Sequence, residues 1–328
     1  MGSLQRNSSR LSAFLFGLSA LLIMGSPAAQ TTYPEKPIRL VVGFPPGSQP
    51  DTVARLLGPR FAEAWGKPVV IDNAAGAGGK IAADRVAKAA PDGYTLGLLG
   101  EGQIAISPNL NKVAFDPVKD FAPVSQVSMS SRMLVVHNAV PAKSVKELVD
   151  LARAQPGGLT FASSGSGGAP HMAAELFKSA ARLDIRHIPY KGVNLAIPDL
   201  LGERVTMMFG LSSVLALARE GKLRALAVTS LRRSSAAPEL PTIDESGYPG
   251  FEFTSWSGLL APARTPVAIV RKLHLETVKA LALPDLRAKL ADLGLETIGN
   301  SPDEFAAVIK SEIPKWAKVI KESGIKSD

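Results

Sequence analysis

The residues best suited to chemistry in this chain lie in one run, Ser163-Ser164-Gly165-Ser166-Gly167-Gly168-Ala169-Pro170-His171. Its glycines let the main chain approach a ligand closely, its hydroxyls can donate, and Pro170 suits the first turn of a following helix. Amide groups left free at such a helix start, at the positive end of its dipole, hold a carboxylate or a phosphate. A plain flexible connector has a similar composition. A second run, Gly47-Ser48-Gln49-Pro50-Asp51-Thr52, repeats the arrangement near the amino end. Asp51 there either caps the helix, the commoner role for Asp at a helix start, or touches a ligand. Asn73, followed by Gly76-Ala77-Gly78-Gly79, lines the same cleft or only builds a turn. His171 and Lys191 are open in the same way: the His packs or caps more often than it binds, and the Lys stands in an exposed turn or pairs with an anion.

Catalytic sets are scarce. The histidines are His137, His171, His187 and His274; with no cysteine and no His-Glu-x-x-His, a zinc site has little support. Neither glycine run ends in the Lys-Ser/Thr of a P-loop, and the third glycine of a dinucleotide fingerprint falls at Pro170. Ser164 lacks the Gly-x-Ser-x-Gly elbow of a serine hydrolase. The sequence therefore points to capture of an anion without chemistry on it, and no cofactor is expected.

The elements that must position these loops alternate between strand and helix, which predicts an α/β fold. Ile38 to Phe44, Val69 to Ile71 and Tyr94 to Leu99 read as strands. Each ends in small residues, the last at Gly100 and Gly102, and ligands bind at such strand ends in open parallel sheets. A second series holds strands at Met133 to His137, Leu159 to Ala162, Asp184 to Tyr190, Val205 to Phe209 and Leu226 to Thr229. Helices intervene, including Ser144 to Ala154 with Ser144 as N-cap. After an extended segment from Trp256 to Leu260, the chain is mostly helical and should pack back on the first series. Two crossings result, near Gln126 to Arg132 and near Gly250 to Trp256, and two crossings make a hinge that can close around a ligand.

The first residues read as an export leader: Arg6 and Arg10, an apolar run from Leu11 to Met24, and small residues before a cut near Ala28. That run is short for a membrane span. Removal of Arg6 and Arg10 lowers the formal charge from +8 to +6. Basic and acidic residues are interleaved, so no nucleic-acid surface is expected. Export of a cysteine-free chain suits the periplasm.

Six segments together resemble the Bug family, the extracytoplasmic solute receptors of tripartite tricarboxylate transporters. They are Phe44-Pro45-Pro46-Gly47 through Asp51, Asp72-Asn73 with Gly76 to Gly79, Ala90 to Leu96, Ser163 to His171, Pro189-Tyr190-Lys191-Gly192, and Trp256-Ser257-Gly258 with Ala261-Pro262-Ala263. The resemblance implies a two-lobe periplasmic binding protein of type II, or Venus-flytrap, form. Each lobe would be a mainly parallel sheet flanked by helices, one over residues 30–128 plus 254–328 and the other over 129–253, with residues 1–28 as signal peptide. It also implies that the two glycine loops grip a carboxylate from both sides. The expected ligand-binding residues are Phe44, Gly47, Ser48, Gln49, Asp51, Thr52, Asn73 and Gly100, with Ser163, Ser164, Gly165, Gly167, Gly168, Ala169, His171, Lys191 and Gly210.

Family members commonly read Gly-Gly-Ser-Thr-Asp where Gly47 to Asp51 stand, and Asn-Arg-Pro-Gly where Asn73 to Gly76 stand. An acid often follows the Val205 to Phe209 strand, where Gly210 stands here. Because a buried ammonium wants a carboxylate partner, a mono- or dicarboxylic acid without an amino group is expected. The implied partners are integral-membrane transporter subunits, and the chain is expected to act as a monomer. Other classes with the same elements are a ligand-sensing receptor for a signalling protein and an exported α/β hydrolase.

Overall fold

The structure, a computed structural model, describes residues 33–325 apart from Ser166, Gly167, Lys191 and Ser235. The leader and two candidate site residues, Gly167 and Lys191, thus lie outside the described residues.

The first series runs β1 (Ile38–Val42), α1 (Gln49–Trp65), β2 (Val69–Asn73), α2 (Lys80–Ala87) and β3 (Thr95–Gly100). Leu40, Val41 and Val42 are wholly buried, as suits a strand covered on both faces. Val53, Ala54, Leu57 and Phe61 turn one stripe of α1 to the core. Where Gly100 and Gly102 suggest a loop, a π-helical turn (Gly102–Ile106) and α3 (Ser107–Leu110) continue from the strand. Next come β4 (Phe121–Ser131) and β5 (Met133–His137).

The second series continues with α4 (Val145–Ala154), β6 (Thr160–Ser163), α5 (Ala169–Ala181), β7 (Arg186–Pro189), α6 (Val193–Leu201), β8 (Met207–Gly210), α7 (Ser212–Arg219) and β9 (Leu223–Val228). The chain closes with β10 (Thr254–Pro262), α8 (Val267–Ala282), α9 (Pro284–Asp292), β11 (Glu296–Thr297) and α10 (Pro302–Ser323).

Among the described residues the strands form two sheets, ordered β11-β4-β10-β3-β1-β2 and β7-β6-β8-β5-β9. Each is mixed rather than parallel throughout. β1 pairs in parallel with β2 and β3, and β6 with β7 and β8. β10 runs antiparallel to β3 and β4, and β5 antiparallel to β8 and β9. The physical reason is the crossing itself: strands that arrive from the other sheet enter against the grain of the strand–helix–strand units.

The passage between sheets is short on one side, Ser131 to Met133, and longer on the other, Val228 to Thr254. Thr229 stitches the two passages together. Its N–H donates to the Arg132 carbonyl at 2.9 Å, and the Arg132 N–H donates to its hydroxyl at 2.7 Å. That hydroxyl donates to the Phe253 carbonyl at 2.6 Å, and the Phe253 N–H returns a bond at 2.8 Å.

The carboxyl-terminal helix does not keep to the first sheet. Ser301 and Glu304 cap α10 reciprocally, and Phe305 and Ile309 then pack with Val41, Leu99 and Trp256. Two turns on, Trp316, Val319 and Ile320 join the core of Phe161, Phe177 and Phe253. With buried apolar residues on both sides, α10 belongs to both halves.

Candidate functional site

In the first loop the side chains of Ser48, Asp51 and Thr52 are occupied in holding the loop. Gly47 has φ +80°, which only glycine adopts at little cost, and its N–H donates to Asp51 Oδ2 at 2.8 Å. Arg55 Nε donates to the same oxygen at 2.9 Å, while Asn73 Nδ2 donates to Asp51 Oδ1 and to the Phe44 carbonyl, both at 2.9 Å. Bonded chiefly by Arg55, and also by Gly47 and Asn73 against the cost of burial, the Asp51 carboxyl is held down at about 2. Ser48 Oγ donates to the Pro45 carbonyl at 2.7 Å, and Thr52 Oγ1 to the Ser48 carbonyl at 3.1 Å.

The second loop is tied down differently. Ser163 Oγ accepts the Gly165 N–H at 3.1 Å and lies 2.6 Å from His187 Nε2. The His187 ring stacks on Phe161 at 4.8 Å and on His171 at 3.9 Å. Burial, and the nearby His171, pull His187 down to about 4, so it is neutral near pH 7. Glu175 lies 3.6 Å from His171 Nε2 and 2.8 Å from Lys178 Nζ. Burial pushes the Glu175 carboxyl up, and those two partners more than offset that push.

Between the loops lies a cavity of about 650 Å³. Phe44, Gln49 and Gly100 line it from the first series and Gly168 and Ala169 from the second, so the structure brings these five expected residues together. Gly47, Ser48, Asp51, Thr52, Asn73, Ser163, Ser164, Gly165 and His171 sit in or behind the two loops and are not among its lining residues. Gly210 ends β8, where a side chain would collide with Val214.

Much of the lining comes from residues with no glycine signature. Ser128, Ser130, Ser255 and Ser257 line it, with Ser128 paired to Ser257 and Ser130 to Ser255 in the β4–β10 register. The Ser128 and Ser257 hydroxyls are 2.8 Å apart. Arg132, one residue past β4, adds a cation. Glu101 lines the floor; burial, then the neighbouring Glu312 carboxylate, push its carboxyl well up. Gln103 wedges between loops: its Oε1 accepts the Gly100 N–H at 2.8 Å, and a Cβ on Gly43 would lie 2.8 Å from its Nε2. A period-two run of hydroxyls, Ser128, Ser130 and then Arg132, is the signal that could have revealed the hinge wall.

The profile of the family described as tripartite tricarboxylate transporter family receptor matches residues 53–325. The chain belongs to that family. It is 36% identical over 324 residues to Protein BugT of Bordetella pertussis, covering 98% of this chain and 99% of that one. Rpa4515 of R. palustris, solved with adipate, superposes with a TM-score of 0.73 at 36% identity, covering 90% of this chain and 99% of that one. MatC of Rhodopseudomonas palustris, solved with malate, superposes at 0.71 and 33%, covering 88% and 100%. The fold is thus the two-lobe periplasmic binding fold, and the chain is a substrate-binding receptor, not an enzyme. No helix among the described residues is long and apolar enough to cross a membrane.

Proposed function

We propose that this receptor captures a small organic carboxylate without an amino group, mono- or dicarboxylic, and hands it to the membrane subunits of a tripartite tricarboxylate-type transporter. The observation that carries this reading is the shared cavity, into which both glycine loops and the starts of α1 and α5 open. Ser48, the N-cap of α1, makes no side-chain cap bond, and the N-cap of α5 is Gly168. The first amides of both helices are therefore left to a ligand, and their dipoles favour an anion. The bound acid would be held by main-chain N–H groups at the starts of α1 and α5, where Gln49 and Ala169 line the cavity.

Two groups weigh against an ammonium in the ligand. Asp51 is consumed by Arg55, and Glu101, the acid that lines the cavity, is held towards its neutral form. Arg132 adds positive charge to the same wall. Adipate and malate, seen in the two R. palustris relatives, are acids of the proposed kind. The lobes would comprise residues 30–128 plus 254–328 and residues 129–253, closing about Thr229. A cleaved leader over residues 1–28 would deliver a monomer to the periplasm.

A thermal-shift screen of the mature chain tests the reading, because a ligand bound by the folded state alone raises the melting temperature by mass action. Non-amino carboxylates should raise it by several degrees, and aspartate and glutamate should not. Stabilisation by the amino acids with no response to the plain acids would overturn it.

A further inference from the structure

The cationic wall of the cavity has an unmet requirement. Arg132 is 7% exposed, and among the described residues its Nε has no hydrogen-bond partner. Among the described residues its Nη2 reaches the Ser255 hydroxyl, at 3.5 Å. Its other notable neighbour is the Phe253 ring, 6.0 Å from the guanidinium carbon. Burial lowers its pKa to about 10, so it stays charged at neutral pH. A buried guanidinium is costly without a counter-charge. Glu101, an acid that lines this cavity, acts on Arg132 electrostatically, but it is itself pushed towards neutrality and, among the described residues, forms no ion pair with it.

We infer that Arg132, with Ser130 and Ser255, is a second anion position that takes the distal carboxylate of the ligand and makes this receptor selective for dicarboxylates. This deepens the proposed function and rests on it: one carboxylate lies at the two helix starts, the other at the hinge wall. The planar fork of arginine matches a carboxylate with two parallel hydrogen bonds, which an ammonium cannot do. Ser130 and Ser255 face each other across the β4–β10 ladder on the same side as Ser128 and Ser257. The latter two satisfy each other, which leaves the nearer pair beside Arg132 for the acid. A cavity of about 650 Å³ has room for such a two-headed ligand. The position also has leverage. Arg132 is bonded through its main chain to Thr229 in both directions, so a ligand that reaches its side chain holds the segment between the sheets.

The test is calorimetric titration of the mature protein with succinate, adipate and suberate, each against butyrate, hexanoate and octanoate. The wild type should bind at least one dicarboxylate about tenfold or more tighter than the monocarboxylate of equal length. Arg132→Gln should weaken that dicarboxylate at least about 30-fold and the monocarboxylate far less, erasing the preference. Arg132→Lys should recover part of it, and Ser255→Ala should give a smaller loss confined to the dicarboxylate. Ligand-free melts establish that each variant folds; if Arg132→Gln does not, the Lys and Ser255 variants decide. Equal affinity of the wild type for both acid types, or equal weakening of both by the variants, overturns the inference while leaving carboxylate capture intact. Binding of no acid at all overturns both.

Discussion

The two glycine loops have similar compositions, yet opposite chemistry holds them. The loop before α1 is clamped by an ionised knot, Asp51 with Arg55, Gly47 and Asn73. The loop before α5 leans on a ring stack, Ser163 against His187, which burial keeps neutral, with Phe161 and His171 alongside. In both, the polar side chains that look most like ligand contacts are consumed in fixing the main chain. In the proposed binding mode what grips the ligand is backbone, which is the part of the loop that composition describes least well. A site that works in the proposed way would be built by side chains but presented by amides, so its side chains could differ between lobes without changing what is gripped.

The largest expected effect comes from breaking the ionised knot. Asp51→Ala leaves the Gly47 N–H without its acceptor, takes one of two acceptors from the Asn73 amide, and should cost about 2–4 kcal/mol of stability by urea denaturation. Ligand affinity should fall with it, because the loop loses its shape. A loss below about 1 kcal/mol would mean that the loop is held by something other than this carboxylate. Breaking the ring stack should cost less: Ser163→Ala removes one acceptor and one short contact, about 1–2 kcal/mol.

Acid separates the two loops without mutation. Asp51 sits at about 2 in the fold against 3.8 ordinarily, so the unfolded chain takes up its proton first as pH falls. The roughly 2 kcal/mol this supplies is complete above about pH 4 and is lost on the way down to pH 2. His187 sits at about 4 against 6.5 ordinarily, chiefly through burial, with His171 and Lys178 lowering it further and Glu175 opposing them. Here too the unfolded state binds the proton first, but stability is lost earlier, between about pH 6.5 and 4. Melts at pH 7 and pH 5 should therefore differ in the wild type and differ less in His187→Gln, while Asp51→Asn should leave that difference unchanged. An unchanged difference in His187→Gln would remove the stack from the argument.

The legible parts of this molecule are those where local pattern and tertiary role agree. Ile38 to Val42 and Met133 to His137 are apolar, β-branched runs that become central strands, and Ser144 with Glu147 announces α4. β4 hides because its function erases its pattern. A strand whose face lines a polar cavity carries Ser128 and Ser130 where an apolar alternation would stand, and Pro123 near its start weakens the signal further. Arg132 hides for another reason: a lone arginine in sequence reveals neither its burial nor that, among the described residues, its Nε finds no acceptor. Gln103 is legible only once Gly43, Gly79 and Gly100 are brought around it by three different strand ends.

The smallest effect is the sharpest test of whether amides, not hydroxyls, face the ligand. Among the described residues three helices, α1, α4 and α10, have a serine as N-cap. Ser144 and Ser301 accept the N–H groups of Glu147 and Glu304, whereas Ser48 turns its hydroxyl back to Pro45 and caps nothing. Ser144→Ala should therefore cost about 1 kcal/mol, the usual worth of a cap, and Ser48→Ala only a few tenths. If the α1 amides do the gripping, Ser48→Ala should also leave affinity within about threefold of wild type, since threefold is under 1 kcal/mol. A tenfold loss of affinity with stability unchanged would mean that the hydroxyl leaves Pro45 for the ligand, and the first loop would then bind through a side chain where the second binds through its backbone.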